Sequence, residues 1–514
     1  MPENQASTTS LLVAVTRGNG PLQRQVEDQL RAAIRSGRLV EGERLPASRT
    51  LAADLGVSRG VVSDAYAQLA AEGWLVIAPR TGPRVAGAPQ APSAGVTSWD
   101  VSSPRVASSD VASRDATSRG AASSDVASRD ATSRGAASPD GDAFAPGSWP
   151  PVGGRGARYD LRPGRPDLAR FPRADWVRSL AAVVRAAGVA DLDYPPIAGA
   201  GALREVLAAY RGRVRGTLAR AGDVILCAGA GQAFVTLAEA LGPVALGVED
   251  PGHEGIRGLF ATRGLTPVPV RVDEHGIVVD ELPDDLGAVL VTPAHQFPTG
   301  AVLSAERRAA LLAWAADTGA LIIEDDYDAE YRYDRAPIGA LQGLRPDLVA
   351  HVGSVSKTLA PALRLGWLLA PPAWCDRLLE ARASLDHGLP ALEQLALADF
   401  IERGAYDRHL RRSGRAYRRR RDALLAALAQ TLPDATVTGA AAGLHIALHV
   451  PGTDDRALAA ACREAGVIVD ALSQHRVAPG PPALLISFAA VPDAAAGHVA
   501  ELLADAALRV REAS

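Results

Sequence analysis

The chain has 514 residues, is 47% hydrophobic and 22% charged, and carries a formal net charge of −4. That composition provides core for about two to four domains and excludes a fibrous or low-complexity protein; the mild negative charge excludes a chain-wide basic field for nucleic acid. No run of about 18 apolar residues occurs, the N-terminal MPENQASTTS has no basic segment leading into an apolar one, and Cys227, Cys375 and Cys462 form no CxxC or metal spacing. The expectation is a cytoplasmic protein with no membrane partner.

Residues 11–86 are patterned. Val26, Leu30 and Ile34 recur every fourth residue, the apolar stripe of a first helix. Gly42 and Pro46 break the chain. A short helix is predicted over residues 48–55, Gly56-Val57 make a tight turn, and Ser58 can cap a third helix running to about Glu72. Val61, Val62, Ala65 and Leu69 give that helix its buried face. Two short helices joined through a glycine turn read as a helix-turn-helix, whose second helix enters the major groove. Residues 74–78 and 84–86 then flank Pro79-Arg80-Thr81-Gly82-Pro83, a two-stranded wing with a basic tip. This segment holds ten arginines against seven acidic residues, a local balance of about +3. Arg49 and Arg59 start the two helices of the motif, where a guanidinium reaches phosphate or base edges.

Residues 87–157 are rich in Ala, Ser, Pro, Gly, Asp and Arg and include a near-identical tandem repeat of 15 residues, 110–124 and 125–139. Each repeat offers one valine to bury, too little for a stacked core, so a flexible, disordered linker is expected.

From residue 158 to the end, apolar runs alternate with helical patterns, as in an α/β sheet. Several runs end in chemistry-bearing residues. Residues 224–227 lead into Gly229-Ala230-Gly231, 244–248 into Glu249-Asp250-Pro251-Gly252-His253, and 288–291 into His295-Gln296-Phe297-Pro298-Thr299-Gly300. Residues 321–323 lead into Glu324-Asp325-Asp326-Tyr327, and 348–352 into Ser354-Val355-Ser356-Lys357. Ligands of open α/β sheets lie at the carboxyl ends of the strands, so these groups converge. Lys357 is the one lysine beside 53 arginines. A guanidinium meets most needs for positive charge but cannot condense with an aldehyde, whereas a desolvated amine can. Pyridoxal phosphate needs an amine for its aldehyde, a carboxylate for its ring nitrogen, a donor for its ring hydroxyl, and a helix start with hydroxyls and a guanidinium for its phosphate. Lys357, Asp325 or Asp326, Tyr327, and Gly229-Ala230-Gly231 with Ser354, Ser356 and Arg364 supply that set.

Residues 45–52 (LPASRTLA) followed by 55–59 (LGVSR) resemble the GntR-type winged helix. Residues 294–300 (AHQFPTG), 323–328 (IEDDYD) and 356–366 (SKTLAPALRLG) resemble the MocR subfamily of GntR regulators, which fuse such a winged helix to a fold-type I aminotransferase domain. The resemblance implies a multidomain chain: a mainly α winged helix-turn-helix over 11–86 and, over 158–514, an α/β aminotransferase-like domain with a mostly parallel sheet. It implies a Schiff base at Lys357, Asp325 on the ring nitrogen, Tyr327 at the ring hydroxyl and Arg364 on the phosphate. Arg49, Ser58, Arg59, and the wing at Arg80 and Gly82 would contact double-stranded DNA. Tyr194 resembles the tyrosine that reaches the neighbouring subunit's phosphate, which implies a homodimer.

Three departures bear on function. Phe297 stands where aminotransferases carry an asparagine. His253 stands where an aromatic residue commonly stacks on the ring. Leu485 stands where an arginine usually grips a substrate carboxylate, with Arg476 the nearest substitute. The expected function is a DNA-binding regulator that senses pyridoxal phosphate or an amine effector. A working aminotransferase with an accessory DNA module is the alternative, and a domain kept only as a dimerisation scaffold is a third reading.

Overall fold

The structure, a computed structural model, describes residues 13–16, 22–78, 82–86, 158–333, 338–439 and 441–513. The expected linker and Arg80 lie outside the described residues.

The N-terminal helices are α1 (Leu22–Arg35), α2 (Ser48–Leu55) and α3 (Arg59–Ala71). In α1, Val26, Leu30 and Ala33 are buried and Ile34 is half-buried, because 3.6-residue periodicity turns the fourth position off the stripe. Gly56 ends α2 at φ 63°, a left-handed cap that a side chain would resist. The Ser58 hydroxyl caps α3 by accepting from the Val61 N–H. Strands β1 (Leu75–Ala78) and β2 (Gly82–Val85) pair antiparallel as the wing. Gly82 opens β2 instead of sitting in the turn, and its φ of 77° starts the return strand.

The larger part is built on an eight-stranded sheet. After the short β3 (Tyr159–Asp160) come helices α4 (Arg173–Ala186) and α5 (Gly201–Arg215), then β4 (Val224–Cys227), α6 (Ala230–Leu241), β5 (Ala245–Asp250) and α7 (Glu254–Thr262). The remaining strands are β6 (Thr266–Asp273), β7 (Gly276–Ile277), β8 (Ala288–Val291), β9 (Leu321–Asp326), β10 (Val349–Ser354) and β11 (Gly366–Leu369). Their order is β4-β11-β10-β9-β8-β5-β6-β7. Strands β10, β9, β8, β5 and β6 run parallel, and β11 is antiparallel to both its neighbours. One apolar cluster gathers around Phe234 and Ile323, another around Leu311 and Ile322, so adjacent residues of β9 feed the two faces.

A second sheet, β12 (Thr436–Thr438), β13 (His445–His449), β15 (Asp470–Ala471) and β16 (Leu484–Ser487), is antiparallel and packs with helices Ala405–Thr431 and Ala496–Ala513. Between β13 and β15, β14 (Val467–Ile468) pairs with β3 and ties the segment after the expected linker to this sheet.

Three strands run further than the polar residues suggested. β5 takes in Glu249 and Asp250, β9 takes in Glu324, Asp325 and Asp326, and β10 reaches Ser354. A buried strand carries polar side chains at little cost where they find partners. Glu324 accepts from the Leu341 and Gln342 N–H groups and from His351, which sequence spacing does not reveal.

The N-terminal helices rest on the end of α5. Arg35 Nη2 donates to the Gly216 carbonyl at 2.6 Å, Arg24 Nη2 donates to the Arg213 carbonyl at 2.5 Å, and Leu344 packs against the winged-helix core.

Candidate functional site

Gly229 holds φ 79° and ψ 176°, a conformation close to glycine-only, and turns β4 into α6. The first N–H groups of α6 therefore point out of the sheet end unpaired. A Cβ on Gly229 would lie 3.1 Å from both terminal nitrogens of Arg364. Arg364 reaches that place through a left-handed φ of 50°, and its Nη2 donates to the Ala228 carbonyl. Ser354, buried at the end of β10, accepts from the Ser356 N–H at 3.4 Å. Backbone donors at a helix start, a guanidinium and two hydroxyls make a cradle for a phosphate dianion.

Lys357 donates from Nζ to the Gly164 carbonyl at 2.7 Å. Burial lowers its pKa, opposed by the charges of Asp325 and Asp328. The amine is thereby brought towards the neutral, nucleophilic form.

The two aspartates left open by the sequence separate by strand alternation. Asp326 faces α5, where Arg211 and Arg215 grip it. Burial alone would raise its carboxyl, but these arginines and His351 hold it below the usual range. Asp325 points to the opposite face, and its Oδ1 is buried without a hydrogen-bond partner. Burial first, then the Asp326 charge, pushes its carboxyl up to about 8. An orphaned carboxyl of this kind fits a ring N–H. Asp325, the cradle and the amine together fit pyridoxal phosphate.

His253 caps α7 by accepting from the Ile256 N–H, and its ring lies 5.2 Å from Phe297 at 34°. The residue is exposed to solvent, and desolvation by the atoms around its ring, then the Lys357 charge, lowers its pKa. Phe297 sits in an apolar cluster with Ala447, Leu472, Ala483 and Leu485. Leu485 is 0% exposed, so this wall offers no cation to a carboxylate. Arg476, the nearest substitute, has its Nε buried without a hydrogen-bond partner and feels the charges of Asp250 and Asp455. Tyr194 is 86% exposed.

Sequence reasoning missed four buried groups. Arg211 and Arg215 were not singled out, although both are buried on α5. His295 and Asp328 were quoted within motifs without a role, yet His295 Nδ1 lies 2.9 Å from the Tyr327 hydroxyl and 3.1 Å from Asp328 Oδ2. The signal was present: both flank residues already chosen at two strand ends.

On the winged helix, Arg49 and Arg59 are exposed at the starts of α2 and α3, beside the exposed cap Ser58.

This fold and site define a helix-turn-helix protein built onto a pyridoxal-phosphate aminotransferase scaffold. Residues 22–85 match the family "Bacterial regulatory proteins, gntR family", and residues 166–503 match "Aminotransferase class I and II". The chain is 32% identical over 452 residues to the HTH-type pyridoxine biosynthesis transcriptional regulator PdxR of Corynebacterium glutamicum, covering 88% of each chain. It is 31% identical over 472 residues to the probable rhizopine catabolism regulatory protein MocR of Rhizobium meliloti, covering 90% of this chain and 89% of that one. A crystal structure of an archaeal alanine:glyoxylate aminotransferase superposes with a TM-score of 0.64 at 26% identity, over 69% of this chain and 91% of that one. The chain belongs to the MocR-type GntR regulators that carry a class I and II aminotransferase domain. It is a pyridoxal 5'-phosphate-dependent transcriptional regulator that binds DNA. Among the described residues no helix is long and apolar enough to cross a membrane.

Proposed function

We propose that this regulator reads the occupancy of the Lys357 site, either by pyridoxal phosphate itself or by an amine delivered to it, and that occupancy changes its hold on a double-stranded operator. Bound pyridoxal phosphate supplies an aldehyde that condenses with a primary amine. Lys357 supplies that amine, Asp325 holds the ring N–H, and Tyr327 hydrogen-bonds the ring hydroxyl. Arg364, Ser354, Ser356 and the Gly229-Ala230-Gly231 backbone hold the phosphate, and His253 covers the ring. The observation that carries this reading is the orphaned Asp325 oxygen beside a half-buried lysine, at the same sheet end as a guanidinium set against a helix start.

Leu485 narrows the effector. With an apolar side chain on that wall, an α-carboxylate loses its partner, which disfavours common amino acids and favours the cofactor or an amine lacking the carboxylate. The same residue disfavours turnover as an aminotransferase.

The working division is a DNA-binding unit over 11–86, a linker over 87–157 and an effector and dimerisation unit over 158–514, in a cytoplasmic homodimer. Val177, Val184, Val189, Leu192 and Tyr194 are large apolar groups left exposed along one segment, which supports a partner subunit there. Arg49, Ser58, Arg59, Arg80 and Gly82 are assigned to DNA.

The test is fluorescence anisotropy of the protein on its own upstream DNA at fixed salt, with apo protein, cofactor-loaded protein and Lys357→Arg. An affinity difference between apo and loaded protein that vanishes in Lys357→Arg supports the reading. Equal affinities in all three, with or without added amines, would sink it.

A further inference from the structure

Tyr327 has a second partner system behind it. His295 Nδ1 lies 2.9 Å from the Tyr327 hydroxyl and 3.2 and 3.1 Å from the two oxygens of Asp328. His295 and Asp328 are 2% and 1% exposed. Backbone clamps the pair: a Cβ on Gly443 would lie 2.1 Å from His295 Cε1 and 2.4 Å from Asp328 Oδ2. Gly443 is itself fixed, its N–H donating to the Tyr331 carbonyl and its carbonyl accepting from the Tyr333 hydroxyl. His445 closes the far side with its ring 5.2 Å from His295, its Nε2 3.2 Å from the Pro298 carbonyl.

One nitrogen cannot serve both neighbours in the same way. Nδ1 carries either a proton or a lone pair. A buried carboxyl with two acceptor oxygens needs a donor more than a phenol does, so Nδ1–H goes to Asp328. The Tyr327 hydroxyl then keeps its proton for another acceptor. Two compete for it: the Asp328 carboxyl, whose interaction with the phenol, after burial, helps to raise the phenol's pKa, and the ring hydroxyl oxygen of the bound cofactor.

We propose that Asp328 and His295 are a positioning pair that decides which acceptor receives the Tyr327 proton, and so sets the pH at which the Lys357-linked cofactor takes up its own proton. A proton given to the ring oxygen stabilises the deprotonated form of the linkage. A proton held by Asp328 favours the protonated form, as does the negative charge of Asp328, which also acts on Lys357. Because an incoming amine would exchange most readily with the protonated linkage, the pair would tune how the regulator's responsiveness depends on pH. The other charged or titratable groups acting here are Asp325 and Glu249 on Tyr327, Arg165 on Lys357, and the rings of His253 and His445, which feel the Lys357 charge.

The experiment is a pH titration of the visible absorbance of the full-length protein loaded with pyridoxal phosphate. Asp328→Asn removes the charge and exchanges one of the two acceptor oxygens for a donor, which weakens its hold on the Tyr327 proton, and the spectral midpoint moves down by about one pH unit, a tenfold change in proton affinity. In a Tyr327→Phe background the same substitution moves it distinctly less. His295→Leu removes the ring donor and leaves Asp328 with Tyr327 as its donor, and the midpoint moves up. An unchanged midpoint in loaded Asp328→Asn overturns the proposal, and so does a shift undiminished by Tyr327→Phe, because the charge would then act alone. If Asp328→Asn does not fold, His295→Leu decides: an upward shift supports the pair, and an unmoved or lowered midpoint overturns it.

Discussion

Arg215 holds Asp326 by two hydrogen bonds, Nη2 to Oδ1 at 2.8 Å and Nε to Oδ2 at 2.9 Å, with both side chains 1% exposed. Arg211 grips the same carboxylate and also bonds Glu330 at 2.6 Å. This grip takes Asp326 out of contention for the cofactor and fixes the strand end that presents Asp325. Asp326→Ala leaves two buried guanidinium groups short of a partner. It should cost about 3–5 kcal/mol, read as a lowered urea midpoint. A midpoint equal to wild type would show that solvent reaches the arginines.

Asp325 gives a pH signature of opposite sign. Burial, then Asp326, raises its carboxyl from 3.8 to about 8. In cofactor-stripped protein the folded chain keeps this proton between about pH 4 and pH 8, where the unfolded chain has released it. The stability it contributes is full below about pH 4 and is lost as pH rises through about 8. Between about pH 5 and pH 8.5 the wild type should therefore lose stability relative to Asp325→Asn, by on the order of a few kcal/mol. Taking the difference between the two thermal-melt series removes the contribution of the histidines, and parallel series would refute the assignment.

Gly229→Ala should spare folding and harm the cradle. A Cβ at φ 79° is strained and comes within 3.1 Å of the Arg364 guanidinium. Strain of about 1–3 kcal/mol predicts cofactor affinity reduced on the order of tenfold. Equilibrium dialysis with pyridoxal phosphate measures it.

Arg59, at the start of α3, should contribute to DNA affinity directly. Arg59→Ala is expected to cost about 1–3 kcal/mol if it reads a base edge. A uniform loss across sequences with a shallower salt slope would instead mark a phosphate contact. Titrations at several salt concentrations separate the two.

Arg35 joins the winged helix to the large domain through the Gly216 carbonyl, one residue beyond Arg215, and stacks on Trp74 at 5.1 Å. The α5 end thus carries both the Asp326 grip and the docking point. Arg35→Ala should shrink the difference in DNA affinity between apo and loaded protein more than it lowers the apo affinity. An unchanged difference would mean that coupling bypasses this contact.

Much of this protein was legible in its residues because the relevant rules are local. Gly56 and Ser58 specify a left-handed cap and an N-cap within a few positions of chain, so α2 and α3 follow from sequence. The lone lysine, with hydroxyls beside it at the end of an apolar run, is likewise a one-dimensional signal. The choice between Asp325 and Asp326 was not available at that level. Both are aspartates at a strand end, and only Arg211 and Arg215 of α5, more than a hundred residues away in sequence, decide which is neutralised. The same holds for His295, Asp328 and Gly443, brought together from three separate strand ends. Sequence determines which groups a segment offers and how its backbone turns. Tertiary structure decides which buried polar groups find partners and which are left for a ligand, because hydrogen bonding and desolvation in the interior depend on distance in space, not along the chain.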